Sequence, residues 1–474
     1  MTPRDLAIAV IGAGPAGLRA AQALAEAGLR PVLIDESPEP GGQIYRKPPP
    51  PLRALRDPRA LYGRDWRRAQ ALDAMLLRLS DRVESRMETL VWNACRAEGG
   101  RGLRLMLRGP AGKDETLDVA ALVLATGAMD RVLPVPGWTA PGVWSLGGAQ
   151  VMLKAQAQLV GRRPVMAGSG PLLYLVAWQY ARAGAPPAAV IDAARPADRL
   201  RALPGLLCRP GVALEGLRLL RGLRRFGVSV IAGAHAERIE STGDGLVLHW
   251  RGRSGSGRVA GDAVAIGHGL KPERQLADLL GCAARFDTGT GQWLVQVDTE
   301  GRASVPGVYL AGDMVAITGA HAAEQAGALA ARALLRDLGL GPSGSMPRPG
   351  VRDRVLRAGL GLQHRFRRAL ETAFPFPQAR IRDLPDETIV CRCEGVTAGD
   401  LRQAIAAWQP GCVNRLKALT RCGMGRCQGR LCGQVAAGIL SDAAGIEPGR
   451  AGALRGQAPV KPLPAAAGHD GGER

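Results

Sequence analysis

The stretch that most constrains the fold is LAIAVIGAGPAGLRAAQALAEAGLRPVLIDE, residues 6–36. An apolar, β-branched run over 8–11 reads as a buried parallel strand. It breaks at Gly12-Ala13-Gly14-Pro15-Ala16-Gly17, an Ala/Leu-rich helix follows over 15–27, and a second apolar strand over 31–34 ends in Asp35 and Glu36. This is a G-x-G-x-x-G fingerprint in its required context. Gly12 permits the tight turn, Gly14 lets a pyrophosphate approach the backbone, and Gly17 lets helix and strand pack closely. The helix N-terminus offers free N–H groups and a positive dipole end to phosphates. Asp35 stands 18 residues after Gly17, where a carboxylate accepts hydrogen bonds from ribose hydroxyls. The expected fold is α/β, a Rossmann-like dinucleotide-binding domain; the alternative is a glycine-rich loop in a doubly wound fold without a ligand.

The pattern returns once. After a strand over 164–167 comes Gly168-Ser169-Gly170, then a helix, then AAVID ending at Asp192. The third glycine position holds Leu173, which is expected to push helix and strand apart or to shift the turn. No basic cluster follows AAVID to meet a 2′-phosphate. A nicotinamide cofactor is therefore disfavoured here, leaving another adenine nucleotide or a scaffold with no ligand. Three further segments, PGGQIYR (40–46), ALVLATGAMDRVLPVPGW (121–138) and GVYLAGDMVA (307–316), resemble those of two-dinucleotide-binding-domain flavoproteins. The resemblance implies FAD in the first site. Gly42 and Gln43 would lie in the loop over the flavin, Ala125, Thr126 and Gly127 in the return segment, and Gly312 with Asp313 in the motif that contacts the ribityl chain. AVAIGHGLKP, 263–272, resembles the return to the first domain, with His268 a turn or flavin-neighbour residue rather than a base.

Six of nine cysteines fall between Cys391 and Cys432. Cys391-x-Cys393 is followed after 33 residues by Cys427-x4-Cys432. Four thiolates suit an iron–sulfur cluster or structural zinc, but the spacing does not match paired C-x2-C zinc ligands. Cys422 also precedes Cys427 with four residues between them, and Cys412 lies in a helical stretch. The preferred ligands are Cys391, Cys393, Cys427 and Cys432, because the glycines of CQGRLCG free backbone N–H groups for cluster sulfurs. Cys422 is then a neighbour. Another metal centre, or reduced cysteines without metal, are the alternatives. A CxC start, two short helices and a returning cysteine pair resemble bacterioferritin-associated ferredoxins, which implies a [2Fe–2S] cluster. Cys95, Cys208 and Cys282 are isolated and read as small buried hydrophobes.

The chain carries a formal charge of +20. Its arginines are scattered, and no basic run is interleaved with stacking aromatics, so no nucleic-acid interface is expected. Asp5 stands where a secretory leader would be basic, and no 18-residue apolar stretch lacks charges or breakers; neither a leader nor a membrane span is expected. The expectation is a cytoplasmic protein with reduced thiols.

The expected domains are a first FAD half (1–145), an inserted nucleotide-binding-like domain (146–262), a second FAD half (263–340), a linker and helical region (341–384), a cluster domain (385–445) and a disordered tail (446–474). Residues 351–374 read as a basic helix pair or hairpin. Over residues 5 to 440 the segments GGQIYR, ATGAMDR, PVPGWTAPGV, AGSGPLL, CRCE and GMGRCQGRLC together resemble the α (A) subunits of multi-subunit FAD-dependent amino-acid, opine and amine dehydrogenases. This family includes opine oxidase, hydrogen cyanide synthase and hydroxyproline or proline dehydrogenase. The resemblance implies an FAD-containing β subunit of the glycine/sarcosine oxidase type that oxidises the substrate. It also implies an FMN at the subunit interface and an onward acceptor, a quinone or carrier. No nucleophile, paired carboxylates or positioned base is visible, so no catalytic residue is assigned. The competing readings are a stand-alone NAD(P)H-dependent flavoprotein reductase using the cluster as outlet, and a non-enzymatic redox sensor or assembly module.

Overall fold

Strands that are apolar along their whole length need cover on both faces, and the chain supplies it twice. The computed structural model describes residues 7–464 apart from 56, 58, 60, 61, 101, 254 and 341–349. In the first sheet the order is Val308–Leu310, Ala121–Leu124, Ile8–Ile11, Val32–Ile34, Glu84–Arg86, and every pairing is parallel. The three central strands are buried throughout. One face is covered by the helices Pro15–Glu26 and Ala320–Asp337. The other is covered by the antiparallel ribbon Leu90–Arg96, Leu103–Arg108, Asp114–Val119. The two helices pack with almost no gap: a Cβ on Gly327 would lie 1.9 Å from the Ala16 carbonyl oxygen.

The second sheet repeats the plan in the order Ser229–Ala232, Ala189–Asp192, Val165–Gly168, Val264–Gly267, Val143–Ser145, again all parallel. Two of its strands lie outside the expected insert of 146–262. Val264–Gly267 belongs to this sheet and not to the returning first domain, and Val143–Ser145 already belongs to it. A short apolar run reads the same in either sheet, so the sequence does not say which one it joins. The chain crosses back at Leu270–Pro272, which pairs antiparallel with Ala128–Asp130.

Residues 351–374 are not a hairpin. Val351–Ala373 is one continuous helix, and Gly359 and Gly361 do not break it. It lies against the helix Pro196–Leu206, where a Cβ on Gly205 would come within 2.6 Å of the Ala369 Cβ. Its first turn is anchored by Asp353, 1% exposed, which accepts from Arg336 (2.8 Å) and pairs with Arg332. An acid there also complements the helix dipole.

The C-terminal unit builds its own core from the hairpin Ile389–Cys391/Val396–Thr397 and the helices Ala398–Trp408, Val413–Thr420 and Gly433–Ala443. The tail expected to be disordered is ordered over 446–464. Ala451 and Val460 are buried, and the Val460 N–H donates to the Trp92 carbonyl. Its last ten residues, and linker residues 341–349, lie outside the described residues. Among the described residues, no helix is long and apolar enough to cross a membrane.

Two glycines test this packing in opposite directions. Gly327→Ala should cost roughly 3 kcal/mol, because the added methyl meets backbone that cannot swing away. Gly361→Ala, with open space around its Cβ position, should instead stabilise by ~0.5–1 kcal/mol. Urea unfolding of both variants checks this, and equal effects would contradict the packing.

Candidate functional site

A cleft of about 640 Å³ opens at the carboxyl ends of the first sheet, the usual position for a ligand in a doubly wound sheet. Gly12 has φ +104°, and a Cβ there would meet the Ala125 carbonyl oxygen at 2.4 Å. A Cβ on Gly17 would lie 1.7 Å from the Gly12 carbonyl oxygen. Gly14 packs against Gly42, where a Cβ on Gly42 would lie 2.8 Å from the Gly14 Cα, which leaves bare backbone at the N-terminus of Pro15–Glu26. Asp35 accepts the Ala13 N–H (2.5 Å) and the Ser37 N–H (2.8 Å) at the rim. Glu36 pairs with Lys461 from the C-terminal segment.

Of the residues marked in the sequence, Gly12, Gly14, Pro15, Ala16, Asp35, Glu36, Gly42, Gln43, Ala125, Thr126, Gly127 and Asp313 line this cleft. Ala13, Gly17 and Gly312 stand behind it, where they fix spacing. Asp313 accepts from the Thr318 and Gly319 N–H groups (2.9 and 3.2 Å), and burial pushes its carboxyl upward. Lys154, missed in the sequence because no motif marks it, also lines the cleft. It donates to the Ile44 carbonyl (2.9 Å), and burial pulls its ammonium down to about 7. Half-buried Asp130 receives the Gly147 N–H. A backbone cradle without side chains, a helix N-terminus, an acid at the rim and this volume fit an extended dinucleotide such as FAD.

The second fingerprint is intact in backbone and closed at the mouth. A Cβ on Gly168 would lie 1.6 Å from the Gly267 carbonyl oxygen, and Ser169 and Leu173 are buried. Leu173 does not pry helix and strand apart; the parallel register of Gly168 with Asp192 and Gly267 runs undisturbed. The side chain goes into the core of the unit. Asp192 is already used: it accepts from the Tyr174 hydroxyl (2.6 Å) and the Ala194 N–H (2.9 Å), and it pairs with Arg199. Over Gly170 lie Arg367, Leu370, Glu371, Phe374 and Phe376, which leave about 50 Å³. Ligand sites commonly enclose roughly 300–1,000 Å³. His268 does not line the first cleft. It packs on Phe376 (5.8 Å between ring centres), and burial holds it down to about 3, so it stays neutral.

The cysteines converge more widely than the chosen four. The sulfurs of Cys391, Cys422 and Cys432, all buried, lie within 4.8 Å of one another. Cys427 hydrogen-bonds with both Cys432 and Cys393. Cys422 is therefore inside the group rather than beside it. The signal was its x4 spacing from Cys427. Donation from Cys422 and Cys432 pulls Cys391 down to about 2, and Cys432 pulls Cys427 down to about 5, while the donors Cys422 and Cys432 are pushed up. Backbone N–H groups of Gly423 and Glu394 point at Cys391, and those of Leu431 and Gly429 at Cys427. Left-handed backbone at Arg421 (φ 63°) and Gln428 (φ 53°) makes these turns. Thiolates ringed by backbone donors fit an iron–sulfur cluster. Cys412 caps the helix Val413–Thr420 outside the group. Of the isolated cysteines only Cys282 is buried; Cys95 is half-buried and Cys208 exposed.

The two centres touch. Arg430, between Cys427 and Cys432, lines the first cleft. Its Nε donates to Glu273 (2.6 Å) and its Nη1 to the Val460 carbonyl (2.6 Å). Gln275 donates to the Gln428 carbonyl (3.1 Å). The cysteine loop is thus part of the wall of the cleft.

Comparison with known proteins agrees with this architecture. Residues 6–327 match the pyridine nucleotide-disulphide oxidoreductase family, and residues 389–442 the BFD-like [2Fe-2S] binding domain. The A-type subunit of opine oxidase from Agrobacterium tumefaciens (strain Ach5) is 37% identical over 98% of this chain and 93% of its own length. The HcnB subunit of hydrogen cyanide synthase from Pseudomonas aeruginosa is 34% identical over 96% of each. The crystal structure of L-proline dehydrogenase from P. horikoshii superposes with a TM-score of 0.69 at 19% identity, over 97% of this chain and 78% of that one. The chain is a flavin-dependent oxidoreductase that belongs to the pyridine nucleotide-disulphide oxidoreductase family, in the group of HcnB and the A-type subunits of opine oxidase, with a BFD-like [2Fe–2S] binding domain at its C-terminal end.

Proposed function

We propose that this chain is the electron-transfer subunit of a multi-subunit amino-acid, opine or amine dehydrogenase, in which a partner β subunit oxidises the substrate. The observation that carries the reading is the cysteine loop docked on the first cleft through Arg430 and Glu273. FAD supplies two-electron chemistry and a [2Fe–2S] cluster one-electron chemistry, so a wall shared between their sites suits relay from one to the other. The chain's own residues bind and orient. The cradle around Gly12, Gly14 and Gly17 takes the pyrophosphate. Asp35 faces the ribose, Asp313 the ribityl chain, and Lys154 holds a buried cation in the cleft. Cys391, Cys393 and Cys427, with Cys432, hold the cluster.

The filled second site supports electrons coming from a partner rather than from NAD(P)H. The same filling argues against an adenine nucleotide there. Support for a partner also comes from the surface: Leu200, Leu203 and Leu207, with Leu214 and Leu217 on the following helix, are exposed. Clustered apolar residues of this kind mark interaction surfaces. The β partner of the glycine/sarcosine oxidase type, an FMN between subunits, a quinone or carrier as acceptor, and a cytoplasmic setting extend the same reading. None of the nine cysteines is in a disulfide, which suits reduced surroundings.

Under anaerobic conditions NADH should leave the flavin absorption of the purified chain unchanged, while dithionite should bleach it and elicit a [2Fe–2S] EPR signal. Leu173→Gly should not open the chain to NADH, because Phe374 and the Asp192–Tyr174 bond still fill the site. Prompt bleaching of either protein by NADH would favour the stand-alone reductase. Arg430→Gln leaves Glu273 without its cation in a largely buried position and should weaken loop docking by ~1–3 kcal/mol. Cluster reduction after flash reduction of the flavin should then slow about tenfold or more at unchanged iron and FAD content; an unchanged rate would remove Arg430 from the relay.

A further inference from the structure

Five thiols crowd a centre that takes four. Cys422 and Cys432 stand on opposite sides of Cys427, each separated from it by four residues. Both are buried, at 1% and 3% exposure, and both sulfurs lie within 4.8 Å of the Cys391 sulfur and of each other. A [2Fe–2S] cluster takes four cysteines, so once Cys391, Cys393 and Cys427 are counted one place is left for two thiols that both lie beside Cys391. Their surroundings match as well. Cys422 is followed by Gly423 and Cys432 by Gly433, and a Cβ on either glycine would meet the same Leu454 methyl, at 2.6 and 3.0 Å.

Resting on the [2Fe–2S] reading above, we propose that Cys422 and Cys432 are alternative fourth ligands of the cluster, with Cys391, Cys393 and Cys427 common to both sets. In the exchange one iron–sulfur bond breaks and one forms. The arriving thiol releases a proton, the departing thiolate takes one up, and no electron moves. The two sets differ in what they hold. With Cys432 bound, residues 428–431 are tied down at both ends, and Arg430 is fixed in the flavin cleft. With Cys422 bound, that segment is tied only at Cys427, and the contact with Glu273 is free to open. Ligand choice therefore sets how firmly the cluster loop is seated on the cleft.

The test uses the full chain and its Cys422→Ala, Cys432→Ala and double variants, purified anaerobically. Iron and sulfide content, visible absorption and dithionite-reduced EPR are measured, with FAD content as the check on folding. Both single variants should keep more than half of the wild-type iron, Cys432→Ala with displaced g values, and the double variant should lose the cluster at least tenfold. Cluster loss in either single variant that still binds FAD would overturn the proposal by making that cysteine a fixed ligand. A double variant that keeps the cluster would overturn it by making neither a ligand. Where an alanine chain fails to bind FAD, the valine variant, which refills the volume, gives the same readings. A wild-type chain without iron after reconstitution would instead sink the [2Fe–2S] reading itself.

Discussion

Three backbone contacts leave no room for a Cβ, and the first cleft depends on all of them: Gly17 on the Gly12 carbonyl, Gly12 on the Ala125 carbonyl, and Gly327 on the Ala16 carbonyl. Together they bring one helix N-terminus, the ends of two strands and a second long helix to a single point. Native packing has few voids, so a clearance this tight transmits any displacement directly. Moving Ala16 by an ångström would open the cradle for the phosphates. It would also shift Gly312, whose Cβ position already lies 2.8 Å from the Ala16 Cβ, and with it the neighbouring Asp313. Binding geometry and helix packing are here one constraint.

The same supersecondary unit occurs twice and is put to different use. In the first copy the acid after the second strand faces a cleft. In the second, Asp192 is fully buried and satisfied by a tyrosine, an arginine and a backbone amide. A buried carboxylate with partners costs far less than one without, so this acid is satisfied within its own unit and has no need of a ligand. The helix Val351–Ala373 and the residues after it close the site, and Arg131 helps hold them. Its guanidinium lies 3.5 Å from the Phe376 ring centre and donates to Gln434 on the helix that follows Cys432. The plug over the second site and the cysteine domain are thereby joined through one buried arginine.

The first fingerprint was legible because glycine at a fixed offset has one physical use, and the neighbouring strands are buried on both faces. The Asp313 segment and the CxC pair were legible for the same reason: each motif packs its chemistry into a few consecutive residues. What could not be read depends on residues far apart in the chain. Val264–Gly267 is an apolar run that fits either sheet. Residues 351–374 read as a helix pair or hairpin, but Gly359 and Gly361, at a modest cost of ~1 kcal/mol each, sit inside one helix that packs against two others. Leu173 looked damaging because a missing glycine implies crowding, yet the side chain found space in the unit's core. Arg430, Glu273 and Lys154 carry no local signature at all. The tail read as disordered, and contacts with distant residues order its first part: Ala451 and Val460 are buried, the Val460 amide is on Trp92, and Lys461 pairs with Glu36.

That tail has an energetic consequence. Lys461 pairs with Glu36 at the rim of the first cleft, and the Val460 carbonyl accepts from Arg430 of the cysteine loop. A ligand in the cleft is therefore enclosed partly by the C-terminal unit, and it binds best when that unit is docked. Linkage then requires the reverse: the bound ligand holds the cysteine domain in place. The gain equals the difference in ligand affinity between the docked and undocked forms, and it adds to the contacts that Arg430, Gln275 and Lys461 already make between the cleft and the cysteine domain.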